Sequence, residues 1–436
     1  MTHLGLALRR LVWIAAVLAA AQAHAGDEGE AAFAAAAKYT VKIETTVRLP
    51  TNPGDESGVF SGAGFVVDAQ RGWAVTNAHV VSRSPATIRM RSSGGAWVPA
   101  KRVYVDPYLD IAVVTPADRA RLNGMAAAEL ACAGFPPIGH PVGAFGHPWS
   151  FDFTGTRGIV AGVSDQFEPG ALLTDAPINS GNSGGPLISL ATGKVVGVNT
   201  SAIDARGVQN LNFAVAAHYV CKILDLLHAG RDPSPPDGSL AFFADAEQTG
   251  VLKVARNFMP AGYIALQPGD VIKAVVDEPG PITRESELVH ALRGRLDGAS
   301  LRVERGGEER VISGRFSAVA KILGRRTVYA SGVVFGQADR FDASEINFSR
   351  VAACQTEEGS LGKSAGFEKC DAVETVDGKA IENLDQLYRL LDSARAAGRA
   401  AAIVVKRVAG LQGKAFFAYY EISLPVEDLD WIRVPD

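Results

Sequence analysis

Cysteine is scarce in this chain, four residues in 436, and the cysteines and eight histidines form no paired C-x-x-C and no H-E-x-x-H. That removes the ligand spacing a zinc site needs, so no metal or other cofactor is expected. Basic tracts are missing as well. Lys and Arg total 43 against 47 Asp and Glu, and no basic patch interleaved with aromatics marks a nucleic-acid surface. Long apolar runs are absent except from Leu11 to Ala21, which is too short for a membrane span of about 20 residues. Arg9-Arg10 precede that run and Ala23-His24-Ala25 follows it, the pattern of a cleaved signal peptide over residues 1–25. Its removal takes the formal charge from −4 to −6. Export delivers the mature chain to an oxidising space, where Cys132, Cys221, Cys354 and Cys370 can pair. Four cysteines allow three connectivities. The short loop between Cys354 and Cys370 favours a local bridge there, with Cys132 and Cys221 as buried small hydrophobes.

What is present carries chemistry. In Asn179-Ser180-Gly181-Asn182-Ser183-Gly184-Gly185-Pro186 one serine sits among glycines that let the backbone pass close to a substrate carbonyl. The N–H groups of Gly181 and Ser183, with Asn182 between them, can form an oxyanion hole. Upstream, the β-branched run Trp73–Val81 presents His79 at a turn of small residues, and Pro107–Val114 sets Asp110 at the mouth of an apolar strand. Ser183 needs a base to become a nucleophile, His79 has a suitable pKa, and Asp110 can hold the imidazole tautomer. The chain order His, Asp, Ser is that of the chymotrypsin-type triad, unlike those of subtilisin or the α/β-hydrolases. His140 and His147 flank a glycine-rich strand and read as loop residues.

T-N-A-H-V-V, D-I-A-V-V and N-S-G-N-S-G-G-P resemble the three catalytic blocks of the HtrA/Deg family of trypsin-like serine proteases. The resemblance extends to Ser61–Val67, Gly155–Gly162, Val196–Thr200 and Leu211–Val215, and covers roughly residues 35 to 220. Two departures stand out: Ser180 where proline is common and Asn212 where glycine is usual. The resemblance implies a mainly β fold, with a chymotrypsin-like double β-barrel over residues 26–229, and a periplasmic or secreted location. Pro177, six residues before the nucleophile, stands at the base of the specificity pocket. Ile178, Asn199, Thr200, Ser201, Asn212, Phe213 and Ala214 would line it. No carboxylate is there to pair with Lys or Arg, so cleavage after small or medium apolar residues is expected. Loops around Ser164–Gly170 and Ser201–Asn210 occupy positions that in the family order or collapse the active site. Trimers are common in the family, and the Val47–Ser61 stretch is too short for the long loop of the large-cage members.

A segment rich in Pro, Gly and Asp, residues 230–238, reads as a linker. Beyond it a turn-strand-helix-strand rhythm occurs twice, over residues 239–316 and 325–428. The first unit carries Leu266-Gln267-Pro268-Gly269-Asp270-Val271-Ile272 and the second Val376-Asp377-Gly378-Lys379-Ala380-Ile381. Both resemble PDZ domains, small α/β units that capture a C-terminal peptide as an added strand. Ser331-Gly332-Val333-Val334-Phe335 is the candidate peptide-binding loop of the second unit, and Gly238–Phe242 that of the first. Neither has a clean G-L-G-F pattern. The expectation is a serine endopeptidase acting on unfolded or damaged envelope proteins. The alternatives on the same fold are a holdase chaperone or a peptide-sensing regulatory protease.

Overall fold

The computed structural model describes residues 29–52, 55–118, 125–147, 153–165, 169–202, 211–244, 246–337, 351–411 and 414–434. The expected signal peptide and most of the 201–210 loop lie outside the described residues. Among those described, no helix is long and apolar enough to cross a membrane.

Two closed six-stranded barrels follow a short helix, α1 (residues 29–36). The first comprises β1 (Thr40–Val47), β2 (Gly58–Asp68), β3 (Trp73–Asn77), β4 (Ala86–Ser92), β5 (Val98–Asp106) and β6 (Ile111–Pro116), paired in the order β1-β2-β3-β6-β5-β4. A one-turn helix, α2 (Ala78–Val81), leaves the end of β3 and carries His79. The second barrel has β7 (Pro141–Gly146), β8 (Thr154–Ser164), β9 (Ala171–Thr174), β10 (Pro186–Ser189), β11 (Val195–Ala202) and β12 (Asn212–Ala216), in the order β10-β11-β12-β9-β8-β7. Alternation builds these walls. In β1 the inward set Val41, Ile43, Thr45 and Val47 is buried while the residues between are partly exposed. Closure removes the free strand edges that would otherwise seek partners.

Helix α3 (Ala217–His228) closes the second barrel, laying Tyr219, Val220, Ile223 and Leu224 on its core. Cys221 on this helix is bridged to Cys132, 89 residues away, with Cα atoms 5.9 Å apart. This corrects the expected local bridge. Cys354 and Cys370 remain thiols; Cys354 Sγ is buried and donates to Thr51 O at 3.2 Å, on a loop of the first barrel. Replacing Cys132 and Cys221 by alanine is expected to cost about 4.6 kcal/mol, the chain-entropy value for a loop of this size. Urea unfolding of the two proteins checks it; an unchanged midpoint would mean that the bridge does not constrain the chain in solution.

Two further sheets complete the chain. The first holds β13 (Leu240–Phe242), β14 (Leu252–Asn257), β15 (Val271–Val275), β16 (Ala299–Arg305) and β17 (Glu308–Gly314) in sequential order, with helices α4 (Ala246–Thr249) and α5 (Glu285–Leu292). The second holds β18 (Arg326–Ala330), β19 (Val333–Gln337), β20 (Val351–Thr356), β21 (Ala372–Val376), β22 (Lys379–Ala380), β23 (Ala401–Leu411), β24 (Lys414–Leu424) and β25 (Leu429–Arg433). Its order is β24-β23-β21-β20-β19-β18-β25, with β22 beside β21, and its helices are α6 (Leu361–Ala365) and α7 (Leu384–Ala396). The loose repeat seen in the sequence has a shared structural device. Asp270, just before β15, accepts Gln267 N and pairs with Arg305; Asp371, just before β21, accepts Glu368 N and pairs with Arg407. In both units a buried carboxylate ties the entering turn to a neighbouring strand, which offsets its desolvation.

The 230–238 segment packs rather than hangs free: Pro233 O accepts from Arg293, and Ser234 is buried. Helix α5 lies against α3, where Tyr219 Oη donates to Ser286 Oγ at 3.2 Å and the His218 and His290 rings meet edge to face. Ser286 Oγ in turn donates to Asp165 at 2.9 Å. Burial first, then nearby cations, pushes His290 down to about 3. Burial likewise takes His218 to about 4, so both rings are neutral at pH 7.

Candidate active site

The site lies where the two barrels face each other. Asn77 ends β3, and its side chain and Ala78 N both donate to Asp110 O at 3.0 Å, which joins the His79 helix to the Asp110 turn. Asp110 has φ +53°, a left-handed conformation that a short polar side chain tolerates. Its carboxylate is held on three sides. Oδ1 accepts His79 N at 2.9 Å, while Oδ2 takes His79 Nδ1 at 2.6 Å and Thr200 Oγ1 at 3.1 Å. Burial alone would raise the Asp110 pKa, but the His79 ring and these hydrogen bonds outweigh it and hold the carboxyl below its usual range. The His79 ring remains half exposed, open to a substrate.

Ser183 sits in a turn fixed by backbone contacts. Its carbonyl accepts Ala63 N at 2.8 Å, and Gly184 N donates to Asn199 O at 2.8 Å. Gly184 has φ +81°, and a Cβ there would run into Ala63 O and Thr76 Oγ1, so only glycine fits. Ser183 Oγ donates to Thr200 O at 2.8 Å. Thr200 therefore touches both groups, its hydroxyl on Asp110 and its carbonyl on Ser183. From sequence it is expected in the pocket wall. No local pattern marks it; the contact to Asp110 spans 90 residues.

In the turn before the serine, Gly181 adopts φ +101° and its carbonyl accepts His147 N at 3.0 Å. Contrary to the expectation from sequence, Asn182 does not offer its N–H to the oxyanion hole, because that N–H is spent on Asn179 O at 2.9 Å. Among the described residues, the N–H groups of Gly181 and Ser183 have no acceptor, which leaves them available to an oxyanion. His147, read as a loop residue, is fully buried and helps hold this turn.

The predicted pocket divides. Pro177 is exposed and its carbonyl accepts Thr156 Oγ1, so its ring is no buried pocket floor. Asn199 is buried and its amide bonds Phe145 O and Pro186 O, a structural role within the barrel. Asn212 Nδ2 reaches across to Ala176 O at 3.0 Å. Ile178, Phe213 and Ala214 are buried, and the Ser201 side chain lies outside the described residues.

The candidate peptide loop of the second unit does not have the geometry for capture. Ser331-Gly332 is the hairpin turn between β18 and β19, and Ser331 N donates to Asp428 O. Val333, Val334 and Phe335 lie on β19, which is paired on both sides by β18 and β20 and so has no edge to offer. In the first unit β13 is an edge strand.

A model of the trypsin-like peptidase domain matches residues 62–198. The chain is homologous to the DegP/HtrA serine endoproteases. It is 30% identical over 286 residues to the probable periplasmic serine endoprotease DegP-like of Ectopseudomonas mendocina, covering 60% of this chain and 58% of that protein. It is 24% identical over 362 residues to the periplasmic serine endoprotease DegP of Escherichia coli K12, covering 76% and 72%. The chain thus spans under two thirds of the length of the E. mendocina relative. Among solved structures, the HtrA-type protease AlgW with tripeptide matches with a TM-score of 0.51 at 24% identity, covering 66% of this chain and 97% of that one. That likeness concerns the fold.

Proposed function

We propose that this peptidase domain is an active serine endopeptidase of HtrA/Deg type, with Ser183 as nucleophile, His79 as general base and Asp110 as the group that orients the imidazole. The observation that carries the reading is the Asp110 carboxylate bound at once to His79 N, His79 Nδ1 and Thr200 Oγ1. Attack requires Ser183 Oγ to turn from Thr200 O toward the imidazole, which takes its proton as the C–O bond to the substrate carbonyl forms. The resulting oxyanion is received by Gly181 N and Ser183 N. His79 then protonates the leaving amine, and water cleaves the acyl-enzyme with His79 again as base.

The periplasm is the proposed location, with unfolded envelope proteins as substrates, by similarity to the relatives named above. A trimer is the proposed assembly, on the resemblance of the protease domain alone. The two C-terminal units are proposed to be PDZ-like, and of their candidate loops only that of the first unit leads into an edge strand, β13. The uncharged side chains of Ile178, Asn212 and Ala214 support cleavage after Val, Ala or Leu.

A fluorophosphonate probe and denatured casein test the reading together. The mature protein is expected to be labelled at Ser183 and to cut casein after apolar residues, read by mass spectrometry. Cleavage dominated by Lys or Arg would overturn the specificity, and neither labelling nor cleavage would favour the holdase.

A further inference from the structure

The first C-terminal unit reaches the active site through one buried charge. Arg293, the residue that follows α5, is fully buried, with Nη1 2.5 Å from Asp106 Oδ2 and 2.6 Å from Pro233 O. Tyr104 Oη donates to the same carboxylate oxygen at 2.9 Å. The other oxygen, Asp106 Oδ1, accepts Tyr108 N and Leu109 N at 3.0 Å each. Those two N–H groups form the turn whose next residue is Asp110, in its left-handed conformation. An unbroken path of hydrogen bonds and one short peptide turn therefore joins the C-terminal unit to the carboxylate that orients His79.

A second contact uses the same turn. The groove between edge strand β13 and helix α5, lined by Leu240, Phe242, Leu288 and Leu292, is walled by Tyr108 of the first barrel, and only about 20 Å³ of space is left. Both the charge and the aromatic ring that dock this unit thus come from residues 106–108.

Stability is a poor reason for the charge pair. Among the described residues, Arg293 Nε and Nη2 are buried without a hydrogen-bond acceptor, so the guanidinium is incompletely compensated for its loss of water. Pairs of this kind are often matched or bettered by apolar residues as stabilisers, whereas fixing geometry is their better-attested use. We propose that Arg293 is a positioning residue for the hydrolytic site: by holding Asp106 it fixes the turn that presents Asp110 to His79. The proposal rests on the hydrolytic reading above. It makes docking of the C-terminal unit a condition of full turnover.

The test compares the full-length chain with Arg293→Met, Arg293→Lys, Asp106→Asn and Lys222→Met. The last breaks the Lys222–Glu278 pair in the same interface without touching the turn. Because small displacements of a catalytic group cost up to about 100-fold, Arg293→Met is expected to lower kcat by about 10- to 100-fold with KM little changed. Arg293→Lys should recover part of the loss, and Lys222→Met should leave kcat within about two-fold. Hydrogen exchange supplies a readout independent of activity: the Tyr108 and Leu109 amides should exchange at least about ten-fold faster in Arg293→Met. If Arg293→Met fails to fold, Asp106→Asn and Arg293→Lys decide by the same two readouts. Unchanged kcat and exchange in a folded Arg293 variant, or an equal loss in Lys222→Met, would overturn the proposal. A wild type that is neither labelled nor active refutes the hydrolytic reading instead, and exchange still reports whether Arg293 holds the turn.

Discussion

Ser183→Ala is expected to lose fluorophosphonate labelling outright and to reduce kcat on a peptide substrate by about 10⁶, leaving a residue of catalysis from the oxyanion hole and substrate binding. The substitution removes one oxygen whose bond goes to a carbonyl, Thr200 O, so the turn should survive. Ala63 N–Ser183 O and Gly184 N–Asn199 O hold that turn and need no side chain. Substrate KM should therefore stay within a few-fold of the wild type. The measurement is single-turnover cleavage of a fluorogenic peptide together with a thermal melt. A folded variant that keeps even a tenth of the wild-type rate would mean that another residue is the nucleophile.

Asp110→Asn should be nearly as damaging, with kcat down by about 10⁴. An amide can preserve the contact to Thr200 and yet donate where the carboxylate accepts, which would place the wrong tautomer of His79 against Ser183. The carboxyl lies below its usual pKa range, so it is ionised throughout the neutral region and the wild type gains its full effect there. Linkage gives the sign. A depressed carboxylate pKa contributes stability above the ordinary value, lost as pH falls through the folded one. The asparagine variant should then match the wild type in acid but fall below it near neutrality, in melts taken across pH. A variant within ten-fold of wild-type kcat would show that Asp110 is not the orienting group.

The residues that bear reactive atoms were legible because each sits in a local pattern: His79 where a β-branched strand ends, Asp110 at the mouth of an apolar strand, Ser183 among glycines. The barrels were legible through the resemblance that the three catalytic blocks carry. What escaped was everything fixed by distant neighbours. Thr200 acquires its role only when β11 passes Asp110, and Cys221 meets Cys132 only once α3 is laid on the second barrel. Pro177 and Phe335 were misjudged for a related reason. A position counted from the nucleophile does not state which way the ring faces, and a glycine before an apolar strand does not state whether that strand will be an edge.

Val434, beyond β25, is buried in the same apolar cluster as Tyr39 and Val41, and its backbone exchanges hydrogen bonds with Gly324 and Arg325. Contacts across so much intervening chain carry a large loop-closure entropy, and folds built on them nucleate slowly. A polypeptide threaded across a membrane from its leading end would present the first barrel long before this last packing partner arrives. Residues at the two ends of the described chain thus share one apolar cluster that is complete only when nearly the whole polypeptide is present.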